Sequence, residues 1–170
     1  MTLPEQFRKK NAEDILIYHY VEELVSSYRG FMAKRFVDED ISLVELPYFL
    51  RLRFNNNNTQ KELVEVFKVS EGYAAKLLRR FEDRGLISRE ENPNNHSQKI
   101  VKLTEKGIKK SDIILDLTED WENKVTKNLD NKYSLKKYLF TTVKETENIV
   151  QRSEERRVGK DYRSRWSPYH

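Results

Sequence analysis

The sequence predicts a mainly α-helical chain carrying one small β-hairpin, and three observations predict it. Two short helical patterns, Thr59 to Phe67 and Ser70 to Arg84, are separated by a tight turn at Lys68 and Val69. A hairpin pattern follows directly, with Leu86 and Ile87 on one arm and Ile100, Val101 and Leu103 on the other. Apolar residues at three- and four-residue steps flank this block on both sides, which is the spacing of amphipathic helices.

In chain order, Thr2 and Glu5 stand at capping-box spacing with Pro4 in the first turn, predicting a short helix to about Asn11. A longer helix is expected from Ala12 to Lys34, with Ile17, Val21, Leu24, Tyr28 and Phe31 on its inner stripe. Val37 to Asp40 reads as an acidic loop. Ser42 with Glu45 is a second capping-box pair and Ile41 with Leu46 fits a hydrophobic staple, so a helix follows from Leu43 to Phe54. Pro47 lies beyond the first turn by that count and predicts a bend or a shifted start. Asn55 to Asn58 is a polar connector.

Thr59 caps the next helix, Glu62 reaches back to it, and Leu63, Val66 and Phe67 share the inner face. Ser70 caps the second helix of the pair; Ala74, Leu77, Leu78 and Phe81 face inward, and Gly85 closes it. Asn92-Pro93-Asn94-Asn95 forms the hairpin tip. Thr104 caps a long helix to about Leu129, with Ile114, Leu117, Trp121, Val125 and Leu129 inside. Asp130-Asn131-Lys132 breaks it, and a last helix spans about Ser134 to Arg152. Its stripe of Leu135, Tyr138, Leu139, Thr142, Val143, Thr146, Ile149 and Val150 is wide for a helix with no later partner, which predicts burial against another subunit. From Arg152 to His170 the chain shows no helical or strand period and reads as translated adapter or vector read-through. The alternative is a native basic tail that touches DNA or membrane.

Helix, turn, helix and hairpin together make a winged helix, a fold that places its second helix in the major groove. That helix presents Glu71, Tyr73, Ala75, Lys76, Arg79 and Arg80 outward, and Arg84 and Arg89 extend the basic cluster. The plain alternative is a solvated face. The ordered motifs T-Q-K-E-L, S-x-x-x-A-x-K-x-L-x-R-F-E-x-R-G-L-I-x-R, N-P-N and L-T-E-K-G span about fifty positions. In them the chain resembles the MarR family of bacterial and archaeal transcription regulators.

The resemblance implies a winged helix-turn-helix domain at 37–107 between N-terminal dimerisation helices at 1–36 and C-terminal ones at 108–152, with 153–170 a non-native tail. It implies a homodimeric, sequence-specific DNA-binding regulator, a repressor relieved by a small aromatic effector. The competing reading is a winged-helix protein-interaction module with weak or no DNA binding. A dimer would set two such helices about 34 Å apart on duplex DNA. Behind the cap Ser70, residues Glu71, Gly72, Tyr73, Ala75 and Lys76 are expected at base edges, with Tyr73 equally able to pack on the preceding helix. Arg79 and Arg80 are expected at phosphates, as are Thr59, Gln60 and Lys61 at the start of the supporting helix.

Two departures from the family pattern stand out. Ala75 replaces a threonine or serine, and Asn95, His96 and Ser97 occupy the wing positions that usually read D-x-R. His96, Gln98 and Lys99 are left as weaker wing contacts. The effector pocket implied by the resemblance would draw on Tyr18, His19, Tyr48, Phe49 and Trp121, each of which also reads as plain core or interface.

Composition bounds the rest. Charged residues are 35% and hydrophobic ones 37%, so large solvated helix faces are expected. The net charge of +4 is weak evidence for nucleic acid, because the tail from Ser153 holds five of the 32 basic and three of the 28 acidic residues. The lack of cysteine excludes disulfides and thiol chemistry, and three scattered histidines make no metal site. No signal peptide and no run near ~18 apolar residues is seen, so the cytoplasm is the default and no membrane partner is expected. No nucleophile–base pair or Gly-rich phosphate loop suggests an enzyme or a cofactor.

Overall fold

The computed structural model describes residues 3–55 and 58–165, with side-chain surroundings for those up to 149. The chain divides into two compact units, Met1–Lys124 and Val125–His170. The first holds α1 (Gln6–Lys9), a 3-10 turn (Ala12–Asp14), α2 (Ile17–Arg35), α3 (Leu46–Phe54), β1 (Asn58–Thr59), α4 (Gln60–Phe67), α5 (Glu71–Asp83), β2 (Ile87–Glu91), β3 (Lys99–Leu103) and α6 (Glu105–Val125) up to its last residue. The second is built on α7 (Lys132–Arg165). This is a mainly helical winged-helix fold with a small antiparallel sheet.

One core organises the first unit. Met32 of α2, Leu46, Phe49 and Leu52 of α3, Leu63 of α4, Leu77, Leu78 and Phe81 of α5, Val101 of β3 and Ile114 of α6 are all buried together. Each such side chain contributes roughly 1.5–3 kcal/mol on burial, so this cluster outweighs any surface ion pair as a source of stability. Phe49 and Phe81 meet edge to face with centroids 5.3 Å apart.

The sheet runs in the order β1-β3-β2. β2 and β3 pair from Ile87↔Leu103 to Glu91↔Lys99, with Arg89 opposite Val101. The turn into the hairpin needs glycine at Gly85, where φ is +68°. A second glycine is fixed by packing: a Cβ on Gly107 would lie 2.1 Å from the Leu86 carbonyl oxygen, so α6 sits hard against the hairpin's start. Thr104 joins the same corner. Its hydroxyl donates to the Gly85 carbonyl at 2.6 Å and accepts the Gly107 N–H at 3.1 Å.

The structure alters several expected boundaries. The first helix is one turn only, Gln6–Lys9 behind Glu5, and the expected cap Thr2 lies outside the described residues. α2 begins at Ile17 rather than Ala12, because Ile15 is buried in extended backbone before it. The first half of its stripe, Ile17, Val21 and Leu24, is exposed; Tyr28 and Phe31 pack partly against the core. Ser42 does not cap α3. The helix starts at Leu46 with Pro47 in its first turn, where a proline needs no N–H partner. Asn58 is not connector but buried strand, and its amide donates to the Leu52 and Asn55 carbonyls at the end of α3; the neighbouring residues 56 and 57 lie outside the described ones. Val66 is exposed on α4, and Val125 and Leu129 are exposed beyond the inner stretch of α6. The helix α7 continues to Arg165 although no apolar period persists there, since Glu, Arg and Lys sustain a helix by propensity. The expected lack of helix in the tail is therefore corrected through 165, and residues 166–170 lie outside the described ones.

Candidate nucleic-acid interface

The helix pair forms as its caps dictate. The Thr59 hydroxyl accepts the Glu62 N–H at 3.2 Å while Glu62 accepts the Thr59 N–H at 2.6 Å, a complete capping box. Ser70 accepts the Tyr73 N–H at 3.2 Å and starts α5. Lys68, at φ 51°, makes the left-handed turn between them. With Ala74, Leu77, Leu78 and Phe81 buried, the opposite side of α5 must face out. Glu71, Gly72, Lys76 and Arg79 are exposed, and Ala75 is half-buried. Lys76 and Arg79 have no ion-pair partner among the described residues. Nothing stands within 4 Å of a Cβ on Gly72, so this end of the helix is open to a close approach.

The far end of α5 is occupied. Arg80 Nη2 lies 2.8 Å from Glu45 Oε1, and Arg84 Nη1 lies 3.3 Å from Glu45 Oε2 and donates to the Asp40 carbonyl at 2.5 Å. Glu45 is only 4% exposed and also accepts the Ser42 N–H at 2.9 Å. Burial pushes its carboxyl pKa up, but the hydrogen bonds from Ser42 and the charges of Arg80 and Arg84 outweigh this and hold it below the ordinary value. The sequence places Arg80 at a phosphate; the structure gives it a carboxylate within its own chain. Asp40 is held down too, by hydrogen bonds from Lys106 at 2.9 Å and Lys110 at 3.1 Å. Lys110 also binds Asp38, whose other oxygen accepts the Asp40 and Ile41 N–H groups. α3, α5 and α6 thus converge on the loop before α3.

Asparagine side chains order the tip of the hairpin. Asn92 Oδ1 accepts the Asn94 N–H at 3.0 Å, and Asn95 Oδ1 accepts both the N–H and the hydroxyl of Ser97, at 3.1 and 2.7 Å. The carboxamide of Asn95 does for Ser97 what a bracing carboxylate would do for a longer side chain. His96, Ser97 and Lys99 are exposed, and Gln98 is half-buried. Between the tip, the start of α4 and the start of α5 runs a groove of about 350 Å³. It gathers Thr59, Gln60, Lys61, Glu71, Gln98 and Lys99, six of the residues expected from sequence at DNA. Arg89 lines it as well. The period-two rule would have found this, because Arg89 shares a strand face with buried Ile87.

A search among known proteins identifies the arrangement. Residues 41–96, from the loop before α3 to the hairpin tip, match the model of the MarR family. In that segment the chain is similar to the MarR family. It is 29% identical over 123 residues to the HTH-type transcriptional regulator BilQ of Clostridium symbiosum, covering 72% of this chain and 84% of that one. Among solved structures, a crystal structure of MarR superposes with a TM-score of 0.68 at 24% identity, covering 86% of this chain and 99% of the other. A MarR-family chain from Listeria monocytogenes, solved in complex with a 26mer DNA, gives 0.61 at 22% identity, covering 84% and 91%. At these identities the structural likenesses show the fold.

The five residues expected around an effector are dispersed in this chain. Phe49 is core, against Phe81. Trp121 packs on Tyr28 and donates to the Ser27 hydroxyl at 3.2 Å. Tyr18 is exposed on α2 and donates to Glu22 at 2.5 Å, which raises its pKa, and His19 lies 3.5 Å from the same carboxylate. Of the five, Tyr48 lines a largely apolar cleft of about 510 Å³ walled by Val25, Tyr28, Met32, Leu46, Pro47 and Phe67 among others. Its ring centroid lies 4.4 Å from that of Phe67 and 5.8 Å from that of Tyr73, both tilted by 56°, so Tyr73 packs against α3. Burial and then the Tyr73 hydroxyl raise the Tyr48 pKa.

Proposed function

We propose that this MarR-family transcriptional regulator is a homodimer that reads duplex DNA with α5 and represses transcription until a small aromatic ligand binds. The observation that carries the reading is the exposed face of α5: Lys76 and Arg79 exposed and without an ion-pair partner among the described residues, beside an open Gly72 and a groove lined by Lys61 and Lys99. Lys76 donates to guanine acceptors and Arg79 to a phosphate, with Gln60 and Lys61 on the backbone alongside. The Listeria protein solved with a 26mer DNA supports DNA as the partner.

Apolar side chains left in water support the dimer. Leu16, Ile17, Val21, Leu24 and Val25 are exposed around α2, and Tyr138, Leu139, Phe140, Val143 and Ile149 on α7. A second copy would cover them, with residues 1–36 and 108–152 as dimerisation segments, 37–107 as the DNA-binding domain and 153–170 outside both. The apolar cleft at Tyr48 supports an aromatic ligand. The cytoplasm is the compartment such a regulator would need; no described helix is long and apolar enough to cross a membrane.

Fluorescence anisotropy tests the reading, using DNA from upstream of the chain's own gene and a shuffled control at several salt concentrations, with light scattering for the dimer. Tight, salt-sensitive binding that favours the upstream DNA is expected. Equal weak binding to both probes by an intact dimer would sink sequence-specific regulation and favour a protein-interaction module.

A further inference from the structure

The hairpin tip poses a charge problem. From Asn92 to Gln98 it carries no lysine or arginine, and Ser97 is too short to reach far from the fold. A cation is present deeper down. Arg89 lines the groove between the hairpin, α4 and α5, together with Lys61 and Lys99, against the single carboxylate Glu71. Lys61 sits 3.9 Å from Glu65, and Lys99 has no ion-pair partner among the described residues. Arg89 is the most firmly placed of the three. Its side chain is 22% exposed, it shares a strand face with buried Ile87, and it pairs across the ladder with Val101.

Glu82 of α5 holds one edge of the guanidinium by charge, with its Oε2 3.1 Å from Arg89 Nε, an ion pair without hydrogen-bond geometry. The two Nη groups, with four N–H donors, have no partner among the described residues. A guanidinium held at one edge and open at the other is the geometry that grips a phosphate with two parallel hydrogen bonds. Its lost freedom is already spent on Glu82, so little more is given up on binding.

We propose that Arg89 binds a DNA phosphate in this groove, with Lys61 and Lys99 flanking the same strand. The wing's electrostatic contact then sits at its base rather than its tip. The proposal rests on the DNA-binding reading above. Arg89 would set affinity and register and carry no sequence preference.

The full chain is titrated into labelled duplexes by anisotropy between about 50 and 200 mM salt. Arg89→Gln is expected to weaken upstream and shuffled DNA alike and to reduce the salt slope by about one. Glu82→Gln, which removes the ion pair but keeps the cation, is expected to keep the full slope. A fall for Glu82→Gln as large as that for Arg89→Gln would overturn the proposal, because Arg89 would then be a strap holding α5. An unchanged slope in Arg89→Gln, with wild type binding, would overturn it too. Wild type without salt-sensitive binding would overturn the DNA reading, and this proposal with it. Should Arg89→Gln fail to fold, Arg89→Lys carries the test: it keeps the slope and loses affinity if a bidentate phosphate contact is present.

Discussion

The exposed side of α5 and its anchored end carry the same residue types under different physics. Lys76 and Arg79 are exposed and have no ion-pair partner among the described residues. Arg80 and Arg84, four residues apart and so on one face, converge on the buried carboxylate of Glu45. A cation already held by a desolvated carboxylate gives little to a phosphate, since reaching DNA would strand the carboxylate. Counting basic residues along this stretch therefore overstates the charge available to DNA. Of the five in the sequence cluster, Arg80 and Arg84 share the buried carboxylate of Glu45, whereas Arg89 stands beside Glu82, which is 43% exposed and leaves the Nη groups available. The salt dependence of binding should report the free cations, and the stability of the fold should report the tied ones.

The largest expected effect breaks the anchored end. Glu45→Ala leaves two guanidinium groups facing each other with nothing between them. Removing one partner of a fully buried pair costs about 3–5 kcal/mol. Arg80 and Arg84 are about a third exposed, and water recovers part of that, so about 2–3 kcal/mol is expected. Urea denaturation would show it as a lower midpoint at unchanged slope. A loss within about 0.5 kcal/mol, the range of an ordinary surface substitution, would mean that Glu45 does not anchor α5. The double variant Glu45→Ala/Arg80→Ala should lose less than the sum of the two single losses, because each removes the same contact.

How far this contrast was legible in the sequence depends on which force wrote it. The caps at Thr59 and Ser70, the buried face of α5 and the turn at Gly85 were all readable, since local periodicity and capping chemistry determine them. The spacing of Ser42 and Glu45 pairs them as a helix cap, but the helix starts later, at Leu46. In the structure Glu45 does accept the Ser42 N–H, yet its main partners lie 35 and 39 residues on, beyond any local rule. Asn58 failed for a similar reason: a polar residue in a polar run gives no sign that β3 will pair with it and bury it. The groove fared better, with six of its residues expected, because the helix-turn-helix pattern brings them together once its register is known.

A middling effect probes the free end. Lys76→Ala should leave stability within about 0.5 kcal/mol of wild type, because Lys76 is exposed and has no ion-pair partner among the described residues. Its cost should fall on base preference, about 1–2 kcal/mol between upstream and shuffled DNA, the scale of one good base contact. Anisotropy against both probes measures it. An equal loss on both would reduce Lys76 to a phosphate contact and remove the distinction between it and Arg79.

The smallest expected effect sharpens the contrast by pH. Glu45 has a folded pKa below its ordinary value, as does Asp40, which Lys106 and Lys110 hold down. For a depressed carboxylate, the stabilisation is complete above the unfolded pKa, near 4, and is lost as pH falls through the folded value. Glu45→Gln keeps the shape of the side chain and an acceptor for the Ser42 N–H, but it cannot titrate. Its deficit against wild type should be constant from neutral pH down to about 5 and should close as the medium becomes more acid. Lys76→Ala should run parallel to wild type over the same range, since it leaves Glu45 and its partners in place. Chemical denaturation at a series of pH values separates the two cases. A Glu45→Gln deficit that does not shrink in acid would place the importance of Glu45 in its packing rather than its charge. Arg80 would then be free to leave Glu45 and reach for DNA.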